Sequence, residues 1–136
     1  MIRPIMKDVF FLSQKSEPAT IADKQVGQDL LDTLAAHTHE CVGMAANMIG
    51  IRKNIIVVNM GFVNLVMFNP KITKKSGKYE TEEGCLSLIG VRPCTRYKEI
   101  TVEYEDMNFK KQKITLKDWP AQICQHEIDH LAGIII

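Results

Sequence analysis

The residues with the clearest chemical potential lie near the end of the chain, in the sequence His126-Glu127-Ile128-Asp129-His130. On an α-helix, four residues span roughly 400° of rotation and ~6 Å of rise, so both imidazoles of this H-E-x-x-H motif project from one face. Glu127 lies at the edge of that face, where its carboxylate can accept a proton from a bound water without being a ligand. The motif therefore predicts a catalytic metal site.

A catalytic site of this kind needs a third protein ligand. In the extended motif with a third histidine six residues after the second, this chain has Ile136, which cannot bind metal. Only six residues follow His130, so we expect the third ligand upstream, where the candidates are His37, His39 and the cysteines. The two histidines follow the end of a predicted helix, which favours surface or capping roles for them.

Cys85 is the favoured third ligand. It follows Gly84, whose missing side chain permits a close backbone approach, so a loop or strand edge can direct the thiolate at the helix. Cys124 is two residues from His126 and points about 200° around the helix, away from the metal face. For Cys124, Cys41 and Cys94, a buried structural thiol is a sufficient explanation.

The elements that must position these residues are predicted from periodicity. Apolar residues at three- and four-residue spacing predict a helix over residues 21–38, with Thr20 and Asp23 as a capping box. β-Branched and apolar runs at 54–60 and 63–69, joined at Met60-Gly61, predict a hairpin of buried strands, and partial alternation at 99–105 and 109–116, joined by residues 106–108, predicts a second. A last helix is expected from Asp118, as the N-cap, to Gly133. The fold class is therefore α+β with antiparallel pairing.

The composition predicts a single compact, water-soluble domain over residues 1–136. The chain has 17 Lys+Arg, 16 Asp+Glu and a formal net charge of +1, with basic residues scattered or in short pairs, so we expect no direct nucleic-acid or lipid surface. No stretch approaches the ~18 apolar residues of a membrane helix, and residues 1–11 lack a signal-peptide cleavage site. We therefore expect a cytoplasmic protein whose four cysteines are thiols.

Three motifs together resemble those of the peptide deformylases. Residues 83–87 read EGCLS and residues 125–131 read QHEIDHL, and this pairing looks like the second and third signature motifs of that family. Residues 42–46 and 49–50 are similar to the first motif, G-φ-G-φ-A-A-x-Q, where φ is apolar. The order and spacing match, so the resemblance covers essentially the whole chain. It implies antiparallel β-sheets packed around a C-terminal metal-binding helix, with one N-terminal helix.

The resemblance implies a specific site and reaction. Cys85, His126 and His130 would bind one divalent metal, most often Fe(II), with Zn, Ni or Co also accepted, and water in the fourth position. Glu127 would act as general base and acid, and the backbone amide of Leu86 would stabilise the charge developing on oxygen. The reaction would release formate from the N-terminal formyl-methionine of nascent polypeptides.

The substrate methionine is expected in an apolar pocket beside the metal. Val42, Ile123 and Cys124 are the predicted walls of this pocket. Gly43, Met48 and Gly84 are further candidates for contacts with the substrate. Arg92 and Arg96 follow the second motif, and either can pair with Glu83 or with peptide carbonyls. Surface exposure is the alternative, and we expect it for at least one of them.

The first motif departs from the family pattern at three positions. Its leading glycine is Cys41, the residue before the glutamine is Asn47, and the glutamine itself is Met48. In the family that glutamine donates a hydrogen bond to the formyl oxygen, whereas a thioether has no hydrogen to donate. Losing one such donor costs about two to three powers of ten in rate. Compensation by the Asn47 amide is one alternative, and a second thiol near the metal, from Cys41, is another consequence.

Three functional readings follow from these departures. A working deformylase is favoured, because a binding module has no need of a general base. The alternatives are a deformylase-like paralogue with weak or altered activity, and a non-enzymatic protein that binds metal or peptide on the same fold. A ribosome association is left open by the resemblance. The terminal isoleucines, residues 134–136, either pack as a last strand or turn or form a dimer contact, so a monomer or a homodimer is expected.

Overall fold

The structure, a computed structural model, describes residues 1–85 and 88–135. Its α-helices are α1 (Val9–Leu12), α2 (Lys24–Ala36) and α3 (Asp118–Leu131), and its strands are β1 (Gly43–Ala45), β2 (Ile55–Asn59), β3 (Asn64–Cys85), β4 (Leu88–Glu105) and β5 (Lys111–Lys117). Two short 3₁₀ helices, Ile21–Asp23 and Ala46–Ile49, precede α2 and follow β1. Among the residues described, no helix has the length and apolar composition required to cross a membrane.

The five strands form one antiparallel sheet in chain order, with a helix packed on each face. Strand β2 explains this arrangement, because its side chains are buried on both faces. One set of alternate residues packs with α2 in a core cluster that includes Leu30, Leu34, Val57 and Phe68. The other set packs with α3 in a second cluster that includes Ile56, Met67, Ile100 and Cys124. The predicted α+β class is confirmed.

The predicted elements are present, and the strands are longer than expected. The helix predicted over residues 21–38 is a 3₁₀ turn followed by α2, and the Asp23 carboxylate accepts the Thr20 backbone N–H at 2.8 Å, as a capping box requires. Strands β3 and β4 form a hairpin that extends from the predicted strands to Cys85 and Leu88. Its outer part is not predicted because residues 73–78 are polar or glycine and exposed, so no apolar alternation marks them.

The ends of α3 differ from the sequence prediction at one residue. Asp118 is not the N-cap: it is the first helical residue, at φ +54°, and Lys117 occupies the cap position without a side-chain capping bond. The helix ends near the predicted Gly133, where φ is +80° and a Cβ atom would lie 2.4 Å from the Ser13 carbonyl oxygen. Both facts require glycine there.

The chain end turns back on α3. The Ile134 N–H donates to the Asp129 carbonyl at 3.0 Å, but the Ile134 side chain is 48% exposed, so the prediction that the terminal isoleucines pack as a last strand or turn is wrong at this residue. Ile136 lies outside the described residues.

Candidate metal centre

Two distant segments of the chain bring three metal-binding side chains together. Cys85 is the last residue of β3, and His126 and His130 lie one turn apart on α3. One ligand atom from each of the three lies within 4.8 Å of the others, and the two histidine Nε2 atoms are 2.9 Å apart. The other two candidate histidines lie elsewhere: His37 caps α2 beside Glu40, and His39 is exposed.

The donor set fits a catalytic divalent metal. Three protein ligands leave a fourth position for water or substrate, which is the arrangement of catalytic rather than structural sites. A thiolate with two imidazoles is a borderline-soft set, which suits Fe(II), Zn, Ni or Co and does not select among them. Both histidines are buried and Cys85 borders a cavity, so a metal held by these three residues would be reached from the cavity.

A buried ionic network holds the first histidine. The Glu83 carboxylate accepts from His126 Nδ1 at 2.7 Å, from Arg96 Nη2 at 2.7 Å and from Gln122 Nε2 at 2.8 Å. Arg96 also donates to Asp129 of α3 at 2.8 Å. Burial acts to raise the pKa of Glu83, but these hydrogen bonds outweigh it and lower the pKa to about 2. Glu83 is therefore a carboxylate that holds the Nδ1–H of His126 and leaves Nε2 free for a metal.

This network answers the sequence prediction about the arginines. Arg96 is the one that pairs with Glu83, and with 3% of its surface exposed it is not a surface arginine. Arg92, on the same strand, is half-buried. The roles of Gln122 and Asp129 were not predicted from the sequence. In the sequence, the charged Asp129 within the helical motif was the signal that could have indicated an ion pair with an arginine.

The two histidines have opposite protonation tendencies in the protein chain alone. Burial lowers the pKa of His126, but its hydrogen bonds with Cys85 and Glu83 raise it overall to about 10. Burial and then the nearby positive charges of His126 and Arg96 lower the pKa of His130 to about 3. In the metal-free chain these shifts favour a charged His126 beside a neutral His130.

Glu127 is placed to move protons at the cavity wall. Its side chain is buried, and its Oε1 atom has no hydrogen-bond partner among the described residues. Burial raises the pKa of this carboxyl to about 7, with the positive charge of His126 opposing the rise. Strand β1 approaches closely at Gly43, where a Cβ atom would lie 2.9 Å from Glu127 Oε2 and 2.6 Å from Ile123 Cγ2. This contact explains why the first motif has glycine at position 43.

A cavity of about 260 Å³ opens beside Cys85, His126 and Glu127. Its lining includes five residues predicted to contact or enclose the substrate, namely Val42, Gly43, Met48, Gly84 and Ile123. Trp119, which the sequence analysis did not single out, stands at its rim with 56% of its surface exposed. The prediction that Cys124 forms a wall is wrong, because that side chain points into the core between α3 and the sheet.

The three departures from the first motif have separate environments. Met48 lines the cavity, and its sulfur accepts the Ala45 N–H at 3.4 Å. Asn47 is turned away from the cavity and donates to the His130 carbonyl oxygen at 2.8 Å, so its amide does not replace the missing glutamine. Cys41 also lines the cavity. Its thiol donates to the Gly43 carbonyl at 2.7 Å, and burial followed by the charge of Glu127 raises its pKa to about 12.

One predicted catalytic group, the backbone amide of Leu86, lies outside the described residues. It stays a prediction from the sequence resemblance.

Comparisons with known proteins agree with the geometry of the site. Residues 2–136 match the family described as polypeptide deformylase. A peptide deformylase of Clostridium beijerinckii is 55% identical over 136 residues, which cover 100% of both chains. The crystal structure of a peptide deformylase from Legionella pneumophila superposes with a TM-score of 0.88 at 31% identity, covering 99% of this chain and 83% of that one. The actinonin-bound class I type b peptide deformylase of Acinetobacter baumannii superposes with a TM-score of 0.87 at 28% identity, covering 99% of this chain and 95% of that one.

Proposed function

The chain belongs to the polypeptide deformylase family and is an enzyme that removes the N-formyl group from formyl-methionyl peptides, and we propose that Cys85, His126 and His130 hold its catalytic metal. The observation that supports this assignment is the convergence of their ligand atoms, within 4.8 Å of one another, beside an open cavity. The deformylase activity is favoured over a weak paralogue or a binding protein because a curated deformylase matches over its full length.

The chemistry requires one water and moves one proton. When bound, a divalent metal supplies the Lewis acidity that makes water nucleophilic at neutral pH. Glu127 takes the proton from the attacking water and delivers it to the leaving amine nitrogen as the C–N bond breaks. The products are formate and a free N-terminal methionine, so the water oxygen is retained in formate and no other reactant is needed.

The protein's own residues prepare this step in three ways. Burial keeps the Glu127 carboxyl in a range where it can both accept and release a proton near neutrality. Glu83 orients His126 through Nδ1, and Arg96 keeps Glu83 charged in a buried position. The backbone N–H of Leu86 would donate to the developing oxyanion, as the family motif implies. Met48 has no proton to give at the position of the family's glutamine.

The substrate side chain would occupy the cavity. Val42, Gly43, Met48, Gly84 and Ile123 form the apolar part of its lining, which suits an unbranched methionine side chain. A deformylase of Acinetobacter baumannii was crystallised with actinonin bound, and we propose that this chain binds actinonin at the same place.

The proposal also covers the identity of the metal, the cellular location and the oligomeric state. We propose Fe(II) as the resident metal, with Zn, Ni or Co able to replace it, because the mixed thiolate and imidazole set does not select by affinity. Residues 1–136 would form one catalytic domain that acts in the cytoplasm, as a monomer or homodimer, on peptides leaving the ribosome. Light scattering and cosedimentation with ribosomes test the last two points.

Formate release from a formyl-Met peptide by anaerobically purified protein tests the function. We expect turnover with Fe(II) or Ni(II), one metal per chain, and loss of metal in the Cys85→Ala and His130→Ala variants. His37→Ala is the matched control, because that histidine lies at a helix end away from the site, and it should keep both metal and activity. Full metal occupancy in Cys85→Ala would contradict the ligand assignment.

A further inference from the structure

Besides Glu127 Oε1, two further buried polar atoms near the three ligand residues have no hydrogen-bond partner among the described residues: Asn47 Oδ1 and His130 Nδ1. Both residues are 0% exposed. Buried polar atoms in native proteins are nearly always paired, so each of these atoms requires an explanation.

The two atoms belong to residues that are already joined. Asn47 Nδ2 donates to the backbone carbonyl oxygen of His130 at 2.8 Å, across 83 positions of sequence. That carbonyl also accepts the Gly133 N–H at 3.0 Å, so both of its lone pairs are used. A flipped amide would place oxygen against oxygen, so the orientation of the Asn47 side chain is determined. Its Oδ1 atom is therefore a fixed, unused acceptor at the end of α3.

His130 provides a matching unused donor. Its Nε2 atom faces His126 Nε2 in the ligand cluster, so a metal held at Nε2 would leave the ring proton on Nδ1. Metal-binding histidines almost always donate this second N–H to a carboxylate, a carbonyl or a water, which fixes the orientation of the ring. His126 donates to Glu83, whereas no carboxylate contacts His130 Nδ1 in the described part of the chain.

We propose that Asn47 is a positioning residue of the metal centre: its side-chain oxygen receives the Nδ1–H of His130, across no more than one water molecule, and so directs Nε2 at the metal. This inference rests on the proposed metal centre. It also assigns different roles to two neighbouring residues of the first motif. Asn47 faces the metal ligand on α3, while Met48 faces the substrate cavity.

The test uses Zn(II)-loaded protein with ¹⁵N-labelled histidine. In the unaltered protein, the Nδ1 proton of His130 should resist exchange with water and show a nuclear Overhauser effect to the Asn47 side-chain amide protons. In Asn47→Leu, which removes the acceptor at similar volume, this resonance should shift or exchange away while that of His126, held by Glu83, stays in place. Zinc affinity, measured by competition with a chromophoric chelator, should fall about 10- to 100-fold.

The control is Thr33→Val, which removes two buried hydrogen bonds of α2 far from the metal ligands. It should lower stability without changing zinc affinity or either imidazole resonance. An Nδ1 proton of His130 that exchanges freely in the unaltered protein, or an Asn47→Leu affinity within twofold of it, would overturn the inference. If the unaltered protein shows no zinc-bound histidines at all, the proposed metal centre fails instead, and the two failures are distinguishable.

Discussion

Replacing Arg96 by methionine should lower the free energy of unfolding, because Arg96 belongs to the ionic network that orients His126. Arg96 is 3% exposed and Glu83 is 9% exposed, and the guanidinium donates to both oxygens of that carboxylate. Methionine keeps the apolar stem of the side chain and removes only the charge and its donors. The variant therefore leaves a buried carboxylate without its main counter-charge.

The magnitude follows from the pKa of Glu83. Its value of about 2, against an ordinary 4.5, represents about 3 kcal/mol of net interaction that favours the carboxylate, at ~1.36 kcal/mol per pKa unit. His126, Arg96 and Gln122 share this stabilisation. Removing one partner of a buried ion pair typically costs about 3–5 kcal/mol. Because His126 and Gln122 still donate to Glu83, we expect Arg96→Met to lose about 2–3 kcal/mol of unfolding free energy at pH 7.

The loss of unfolding free energy in Arg96→Met should become smaller as the pH falls. The folded-state pKa of Glu83 lies below its unfolded value, so its contribution is complete above about pH 5 and is lost as the pH falls towards 2. Arg96→Met raises the folded-state pKa of Glu83. The difference in unfolding free energy between wild type and variant should therefore be largest near neutrality and shrink as the pH falls from about 5 to 2.

Urea unfolding of both proteins in a chelating buffer measures this gap, because bound metal would add its own stabilisation. Arg92→Met is the matched control, since Arg92 lies on the same strand and forms no ion pair within the described residues. It should cost less than about 1 kcal/mol. An Arg96→Met gap below 1 kcal/mol at neutral pH, or a gap that stays constant down to pH 3, would refute the reasoning.

Three further predictions concern residues that line the cavity beside the proposed metal centre. Glu127→Ala should retain one metal per chain and lose formate release by about 10²–10⁴-fold, since only the proton carrier is removed; loss of metal by elemental analysis would instead make Glu127 a ligand. Met48→Gln should raise turnover by about 10²–10³-fold by supplying the missing donor, and an unchanged rate in the same formate assay would argue against a donor at this position. Gly43→Ala should reduce both stability and turnover, because the new Cβ would lie 2.6 Å from Ile123 and 2.9 Å from Glu127; Gly61→Ala is the comparison, with open space around its Cβ position and only the backbone cost of its positive φ, and equal turnover losses in the two variants would exclude a steric effect at the site.

Among the elements predicted correctly from sequence, strand β2 is a run of buried apolar residues, and others have burial that differs sharply between their two faces. Helix α2 and strand β5 have such patterns, and their predicted bounds lie within a few residues of the observed ones. The outer part of the β3–β4 hairpin has polar residues on both faces, and the three-residue β1 is buried throughout, so neither carries a periodicity. Backbone pairing with a distant strand determines these segments, and that pairing leaves little trace in local sequence.

The candidate site divides in the same way. The sequence by itself determined the helical motif, because the four-residue spacing of His126 and His130 is a local property of an α-helix. It also identified Cys85 and Glu127 by their residue types. Only the tertiary structure decided which side chains contact these residues: Glu83, itself paired with Arg96, contacts the His126 ring, and Asn47, 83 positions away, donates to the His130 carbonyl. These contacts depend on how α3 crosses the sheet, and a buried polar group selects its partner by proximity in space rather than in sequence.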